Sequence, residues 1–354
     1  LYFSNIKDAC RAVVAMKPGP VFSAELLDKK SLASVNDTTG TDLTAVLTET
    51  KADTPEELQA NIEEIKKILS PFETVTPIHF TDKPEEYSKY WAIRSGIFPS
   101  VGGTRRPGTT VLIEDVAFPL KELPEATADL QELLVTNEYH DACIYGHALE
   151  GNFHFIISQS FDSPEQVARY EKLMDEVKTL VVDKYDGSLK AEHGTGRNMA
   201  PFVKYEWGER AYGFMKAVKE LFDPKGLLNP GVIFNEDPHC HLKHFKPMPL
   251  TNAHVDKCIE CGFCEVNCLT CGFSLSSRQR IVIQREISRL KKLSDTESSE
   301  RLKTLQKQYK YLGNATCAGD GLCSMSCPMG INVGDLTHDI RQANLPEKSI
   351  GYKT

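Results

Sequence analysis

The sequence has no apolar run long and uninterrupted enough to span a bilayer. No signal-peptide pattern opens it. It has no basic excess: the net charge is −8, spread along the chain, which excludes an electrostatic nucleic-acid binder. It has no low-complexity tract, so its 354 residues suffice for two domains with a sizeable core. Cysteine is scarce over most of the length. Of eleven cysteines, only Cys10, Cys143 and Cys240 stand apart, and eight lie between 258 and 327. The three isolated ones read as ordinary buried thiols. Clustering of the rest, without a secretion signal, points to metal in a reducing compartment. The expected location is the cytoplasm, or the inner face of its membrane. The opening residues LYFSN resemble the scar of a protease-cleaved tag, so 1–5 are set aside and the chain reads as a fragment of a larger protein.

The pattern changes near residue 236. Before it, strand-like and helix-like stretches alternate. TAVLTET (44–50), VTPIHF (75–80) and TTVLIEDVAF (109–118) read as strands. Thr54-Pro55-Glu56-Glu57 gives a cap, a proline at the first helical position and a capping-box Glu, followed by Leu58, Ile62, Ile65 and Leu69 at helical spacing. Residues 121–137 read as a helix, ACIYGH and NFHFIIS as a hairpin, and Ser163-Pro164 as the start of another capped helix. The order β-α-β, β-α-β predicts an α+β domain over 6–235: a ferredoxin-like antiparallel sheet with helices on one face. Residues 236–257 read as a solvated linker carrying His239, His241 and His244. Residues 258–354 read as an all-α domain, with a helical hairpin over 277–293 and 298–311 broken at Ser294-Asp295.

That last domain repeats one motif. CIECGFCEVNC has cysteines at 258, 261, 264 and 268; CAGDGLCSMSCP has them at 317, 323 and 327, with Asp320 in the remaining position. C-x2-C-x2-C-x3-C suits iron–sulfur cubes, and in two-cluster ferredoxins the fourth cysteine of each run serves the other cluster. Zinc is the alternative, but zinc sites seldom use four cysteines at this spacing, and Pro328 completes the ferredoxin pattern. The spacing assigns Cys258, Cys261, Cys264 and Cys327 to one cluster and Cys268, Cys317 and Cys323 to the second. Asp320, a harder donor than thiolate, or the spare thiol of Cys271 completes the second; Asp320 as a plain turn residue before Gly321 is the third possibility.

GHALEGNFHF carries His147 and His154. A hairpin turning at Glu150-Gly151 sets them directly opposite one another, within about 5 Å, close enough to share a divalent ion. AEHGTGRN (191–198) offers Glu192 and His193 beside glycines that let backbone approach a ligand.

GHALEGNFH, AEHGTGRN and FDPKGLLNPG together resemble the C-terminal half of FAD-linked oxidases of the vanillyl-alcohol oxidase superfamily. Within it they look most like D-lactate and D-2-hydroxyglutarate dehydrogenases. The fused cysteine motifs narrow this to large bacterial flavin and iron–sulfur D-2-hydroxyacid dehydrogenases. The resemblance runs from about residue 10 over nearly the whole chain. It implies that His147, His154 and Glu192 bind a divalent metal, zinc or manganese, and that His193 is the catalytic base. It places Asn229 near the flavin, with Gly194 as a further cofactor contact, and makes Arg94 of YWAIRSG a substrate-carboxylate arginine. Glu150 stands where the family usually has Asp. The family holds FAD mainly through an N-terminal domain of roughly two hundred residues, and no such domain precedes this sequence, so this chain alone is expected not to turn over.

The resemblance implies this chemistry. A small 2-hydroxyacid chelates the metal, His193 takes the hydroxyl proton, and Arg94, with Arg105 and Arg106, clamps a carboxylate. Electrons pass from FAD through two iron–sulfur clusters to a quinone or a redox protein. A glycolate oxidase-type subunit, or an electron-transfer module without turnover, are the alternatives. Flavin absorbance on the purified chain separates the last of these from an enzyme.

Overall fold

A computed structural model describes residues 1–35 and 43–345. Residues 36–42 and 346–354, which belong to the two expected domains, lie outside the described residues. The chain divides into two compact units: Leu1–Ile97 with Leu112–Phe245, and Phe98–Val111 with Lys246–Thr354. Six strands form one mixed-order sheet: β1 (Tyr2–Phe3), β2 (Ser23–Leu27), β3 (Thr44–Glu49), β4 (Thr110–Ala117), β5 (Cys143–His147) and β6 (Asn152–Gln159), arranged β1-β3-β2-β5-β6-β4. The pairs β1–β3, β2–β3, β2–β5 and β5–β6 are antiparallel. The helices of this first unit are α1 (Ile6–Met16), α2 (Lys29–Ser34), α3 (Pro55–Leu69), α4 (Pro84–Thr104, whose last turns count with the second unit), α5 (Leu123–Thr136), α6 (Pro164–Lys178) and α7 (Ala200–Phe222).

Period-two alternation sorts the sheet's side chains. Leu26 of β2, Val46 of β3, Ile144 of β5, Phe153, Phe155 and Ile157 of β6, and Val116 of β4 enter the core with α1, α5 and α6. Their sequence neighbours Glu25, Tyr145, His154 and Asp115 therefore point to the opposite side of the sheet. All four are buried. Polar groups buried on a sheet face are expensive unless paired, so this second face is where function is to be sought.

Several expectations need correction. VTPIHF (75–80) is not a strand: Pro77 lacks the N–H a ladder needs, and only Val75 bonds toward the sheet edge, to the Tyr2 carbonyl. Residues 1–5 are part of the fold. Phe3 is fully buried, Tyr2 and Phe3 pair with Ala45 and Thr44, and Asn5 caps α1 by accepting from the Asp8 N–H. In α3 Thr54 caps as expected, but the Glu57 carboxylate accepts from Asp53 N instead of the cap's own N–H. The linker is not wholly solvated. Phe245 stacks on Phe161 at 3.7 Å, His241 lies edge-on to Phe202 at 5.2 Å, and the first unit extends to Phe245.

Among its described residues, the second unit is built from the last turns of α4, from α8 (Ser277–Leu290), α9 (Thr296–Tyr309) and α10 (Val333–Ala343), and from short turns. A capping box at Ser276 and Gln279 starts α8, and Asp295 caps α9 by accepting from Ser298 N at 2.8 Å. Those two caps close the expected helical hairpin. The small core here is Val255, Ile281, Cys323, Ile331, Val333 and Leu336, with Cys258, Cys264 and Cys327 against it.

Candidate functional site

The hairpin register differs from the expected one. Tyr145, not His147, lies opposite His154, and His147 pairs instead with Glu25 of β2. The cause is the loop. Ala148–Glu150 is a 3-10 turn closed by Gly151 at φ 71°, longer than a two-residue turn. Gly151 is required, because a Cβ there would stand 2.3 Å from the Phe118 carbonyl oxygen. A slip of two residues preserves the face, so His147 becomes the diagonal neighbour of His154 and the ring centroids are 5.6 Å apart. Glu150, the departure from the family's Asp, turns outward to Lys17 at 2.7 Å.

The third donor comes from the loop after α6. Asp115 of β4 accepts from the backbone N–H groups of Glu192 and His193 at 2.8 and 2.9 Å. Its other oxygen accepts from Asn152 at 2.6 Å. Glu114 holds the loop on both sides, through Lys190 at 2.9 Å and Asn198 at 2.8 Å. The loop is thus pinned to β4 at three points, which fixes where Glu192 reaches. Its Oε1 lies 3.1 Å from His147 Nε2 and 3.0 Å from His154 Nε2. The three donors converge within 4.8 Å of one another.

Supporting groups orient the imidazoles. Glu25 Oε1 lies 2.5 Å from His147 Nδ1 and its Oε2 accepts from Arg94 Nε at 2.9 Å. Burial opposes ionisation of Glu25, but His147 and the Arg94 charge outweigh it and lower its pKa. The same hydrogen bond raises the pKa of His147 against its own burial. His154 behaves oppositely: burial pushes it down to about 4, with Asp115 opposing, so at neutral pH the ring is uncharged and has a lone pair to offer. His154 Nδ1 stands 3.5 Å from Asp115 Oδ1 without a hydrogen bond. His193 stacks on His154 with centroids 4.7 Å apart, its Nε2 3.5 Å from Glu192 Oε1.

Glu25, His147, His154, Glu192 and His193 line a cleft of about 290 Å³ together with Arg94 and its neighbours Trp91 and Ser95. Glu25, Asp115 and Glu114 are absent from the expected site. Each is an acid inside an otherwise apolar strand, SAELL or VLIEDVA, and that misfit was the available signal. Asn229 (φ 44°) and Gly194 (φ 68°) both sit in left-handed turns, and among the described residues none but its chain neighbours comes within 4 Å of where a Cβ on Gly194 would be.

Arg105 is not a substrate clamp. It is buried in the second unit, donating to the carbonyls of Gly102, Thr109, Asp256, Lys257 and Cys258. Arg106 is exposed. Arg105→Met leaves the Gly102, Thr109 and Lys257 carbonyls without that donor. At about 1–3 kcal/mol each, thermal unfolding of the second unit should shift sharply downward while hydroxyacid binding is unchanged.

The second unit gathers the cysteines. Burial raises the Cys264 thiol, and Cys323, Cys327 and Cys261 nearby add to that; Cys258 likewise feels Cys264. Cys268, Cys317, Asp320 and Cys323 line a common hollow with Arg280. Cys271 is exposed and is not part of that lining. Arg280, buried, places Nη1 3.8 Å from Cys268 Sγ and Nη2 3.1 Å from both Thr270 and Thr316 hydroxyls.

Residues 1–233 match the model for FAD linked oxidases, C-terminal domain, and residues 254–331 match a 4Fe-4S dicluster domain. The glycolate oxidase subunit GlcD of Bacillus subtilis (strain 168) is 24% identical over 241 residues, 66% of this chain and 50% of that protein. A mitochondrial D-lactate dehydrogenase (cytochrome) of Arabidopsis thaliana is 29% identical over 251 residues, 67% of this chain and 41% of that protein. A D-2-hydroxyglutarate dehydrogenase of Stutzerimonas stutzeri (strain A1501) is 33% identical over 124 residues, 34% of this chain and 26% of that protein. The chain thus spans half or less of the length of these relatives. Among the described residues no helix is long and apolar enough to cross a membrane.

Proposed function

The chain belongs to the FAD linked oxidases through their C-terminal domain, and from that premise we propose that it is the substrate-binding and electron-exit portion of a flavin-dependent D-2-hydroxyacid dehydrogenase. The observation that carries this reading is the convergence of His147 and His154 Nε2 on Glu192 within 3.1 Å, beside Arg94 and His193 in one cleft. Two imidazoles and a carboxylate suit zinc or manganese, and the Glu25 bond to His147 Nδ1 is the outer support such ligands use. The open backbone at Gly194 lets a flat ring approach His193, and Asn229 is a second contact for it. When bound, a divalent ion lowers the pKa of a coordinated hydroxyl, a flavin accepts hydride, and iron–sulfur clusters carry electrons.

The chain's own residues do the rest. Arg94 spends Nε on Glu25 and keeps its Nη donors for a substrate carboxylate, with Nη2 3.4 Å from His147 Nε2. His193 holds its imidazole between the cleft and His154 and takes the substrate hydroxyl proton. The Asp115 bonds fix its backbone, so the base is positioned before substrate arrives. Cys258, Cys261, Cys264 and Cys327 would hold one cluster; Cys268, Cys317 and Cys323, with one further donor, the other. The electron acceptor is a quinone or a redox protein, and the site of action the cytoplasm or its membrane face.

Calorimetry tests the reading on the chain itself. D-2-hydroxyglutarate, D-lactate and glycolate are titrated into protein loaded with Mn²⁺ or Zn²⁺. At least one is expected to bind, and chelation of the metal is expected to abolish that binding. If none binds to the loaded chain, the reading fails. Protein made without oxygen should contain iron and labile sulfide; zinc without sulfide would remove the electron-exit role.

A further inference from the structure

The second cysteine motif has the spacing of the first with one substitution: Cys317, Asp320, Cys323 and Cys327 match Cys258, Cys261, Cys264 and Cys268 step for step. The backbone repeats as well. Cys261 lies between Glu260 at φ 62° and Gly262 at φ 90°; Asp320 lies between Gly319 at φ 69° and Gly321 at φ 73°. In both motifs the second left-handed residue, Gly262 or Gly321, opens a 3-10 turn, Phe263–Asn267 in one and Leu322–Ser324 in the other. The closing hydrogen bonds correspond: Glu265 N donates to Gly262 O and Ser324 N to Gly321 O, each at 2.9 Å. So do Cys268 N to Glu265 O at 3.1 Å and Cys327 N to Ser324 O at 3.2 Å. Cys261 and Asp320 are both exposed, whereas their partners in each motif are more enclosed.

Left-handed backbone is costly for Glu260, and two such residues flanking one position constitute a specific shape. At Gly319 a Cβ would stand 2.6 Å from His338 Nε2, so the shape there depends on glycine. A simple turn would not need to reproduce both the flanking left-handed residues and the closing hydrogen bonds of the other motif's ligand loop. One Asp320 oxygen accepts from Leu322 N at 3.1 Å, and its other oxygen has no partner among the described residues. It lines the same hollow as Cys268, Cys317 and Cys323, and Cys271 does not.

We propose that Asp320 is the fourth ligand of the second cluster and makes that cluster a labile one, releasing a single iron that the all-cysteine cluster retains. This rests on the reading of the second unit as a carrier of two iron–sulfur clusters. Carboxylate oxygen is a harder donor than thiolate and binds the iron of a sulfide cube less covalently. Exposure of Asp320 lets water compete for the same iron. The step balances as follows: a one-electron oxidant takes an electron from a [4Fe–4S]²⁺ cluster, the Asp320–iron bond and that iron's bonds to sulfide break, and Fe²⁺ leaves a [3Fe–4S]⁺ core on Cys268, Cys317 and Cys323. Reduction with added Fe²⁺ reverses it. The cluster nearer this corner therefore senses oxidants and iron supply, and the first cluster does not.

The test uses the whole chain, purified without oxygen and titrated with ferricyanide. Paramagnetic resonance is expected to show a 3Fe–4S signal approaching the protein concentration, with one iron released per chain and recaptured on adding Fe²⁺ and dithionite. Asp320→Cys is expected to abolish that signal and Cys271→Ser to leave it unchanged. Asp320→Ala, which removes the carboxylate and needs no new ligand, is expected to carry the 3Fe–4S form before oxidant is added. The reduced 4Fe–4S signal of the first cluster is the internal reference. If that signal is present and wild type gives no 3Fe–4S form, the proposal is wrong; so it is if Cys271→Ser creates the form that Asp320→Ala does not. If labile sulfide and both signals are missing, the cluster reading itself has failed.

Discussion

Replacing His193 with alanine is expected to lower turnover of the hydroxyacid by about 10²–10⁴-fold, the usual cost of a lost general base, with the divalent ion still bound. His193 differs from its neighbours in what holds it. His147 and His154 both direct Nε2 within 3.1 Å of one Glu192 oxygen, whereas His193 Nε2 is 3.5 Å away and its side chain is about half open to the cleft. It is anchored by its backbone to Asp115 and by its ring to His154. Alanine keeps the backbone anchor, so Glu192 stays in place. The measurement pairs a dye-linked assay of the longer parent protein, in which this chain is joined to a flavin-holding domain, with metal analysis. Loss of metal along with activity would instead favour the neighbouring donor set of Asp115, His154 and His193, which also converge within 4.8 Å.

The double change His147→Ala, His154→Ala is expected to abolish stoichiometric binding of Mn²⁺ or Zn²⁺, because Glu192 alone is a single exposed carboxylate. Glu25→Gln is the graded counterpart. It leaves all three donors and removes the carboxylate that orients His147, so affinity should fall by about 10–100-fold. Protons compete with the ion for His147. Because its hydrogen bond to Glu25 raises the His147 pKa above the ordinary 6.5, affinity should weaken as pH falls through that raised value. In Glu25→Gln this pH dependence should move lower, which a merely structural role for Glu25 would not produce. Metal content after dialysis across a pH series measures all three effects. Intact metal binding in the double variant would show that the site is misassigned.

Much of this was legible in the residues. The cysteine spacing, the paired histidines and the EH dipeptide name their own chemistry, because few other roles require those residue types so close together. The caps of α3 and α6 were equally plain, since a side-chain oxygen three residues before a free N–H is a local matter. Errors arose where a local breaker was passed over or a long-range partner decided the outcome. VTPIHF has strand composition, but Pro77 denies it a ladder. Arg105 reads as a free cation in TRRPG, yet five carbonyls enclose it.

The amino-acid order by itself determined which atoms are available: two imidazoles, a carboxylate, seven motif cysteines and an aspartate at the eighth place. It also determined the faces, since alternation puts His154 opposite Phe153 and Phe155 whatever the register. Only the tertiary structure decided how they meet. The 3-10 turn at Ala148–Glu150 slipped the hairpin by two residues and gave His147 to Glu25, a residue 122 positions away. Asp115 and Glu114, both on β4, pinned a loop that begins 75 residues later and so set the reach of Glu192. Those contacts are non-local, and their energy lies in burying and pairing charges that no short stretch of sequence can hold.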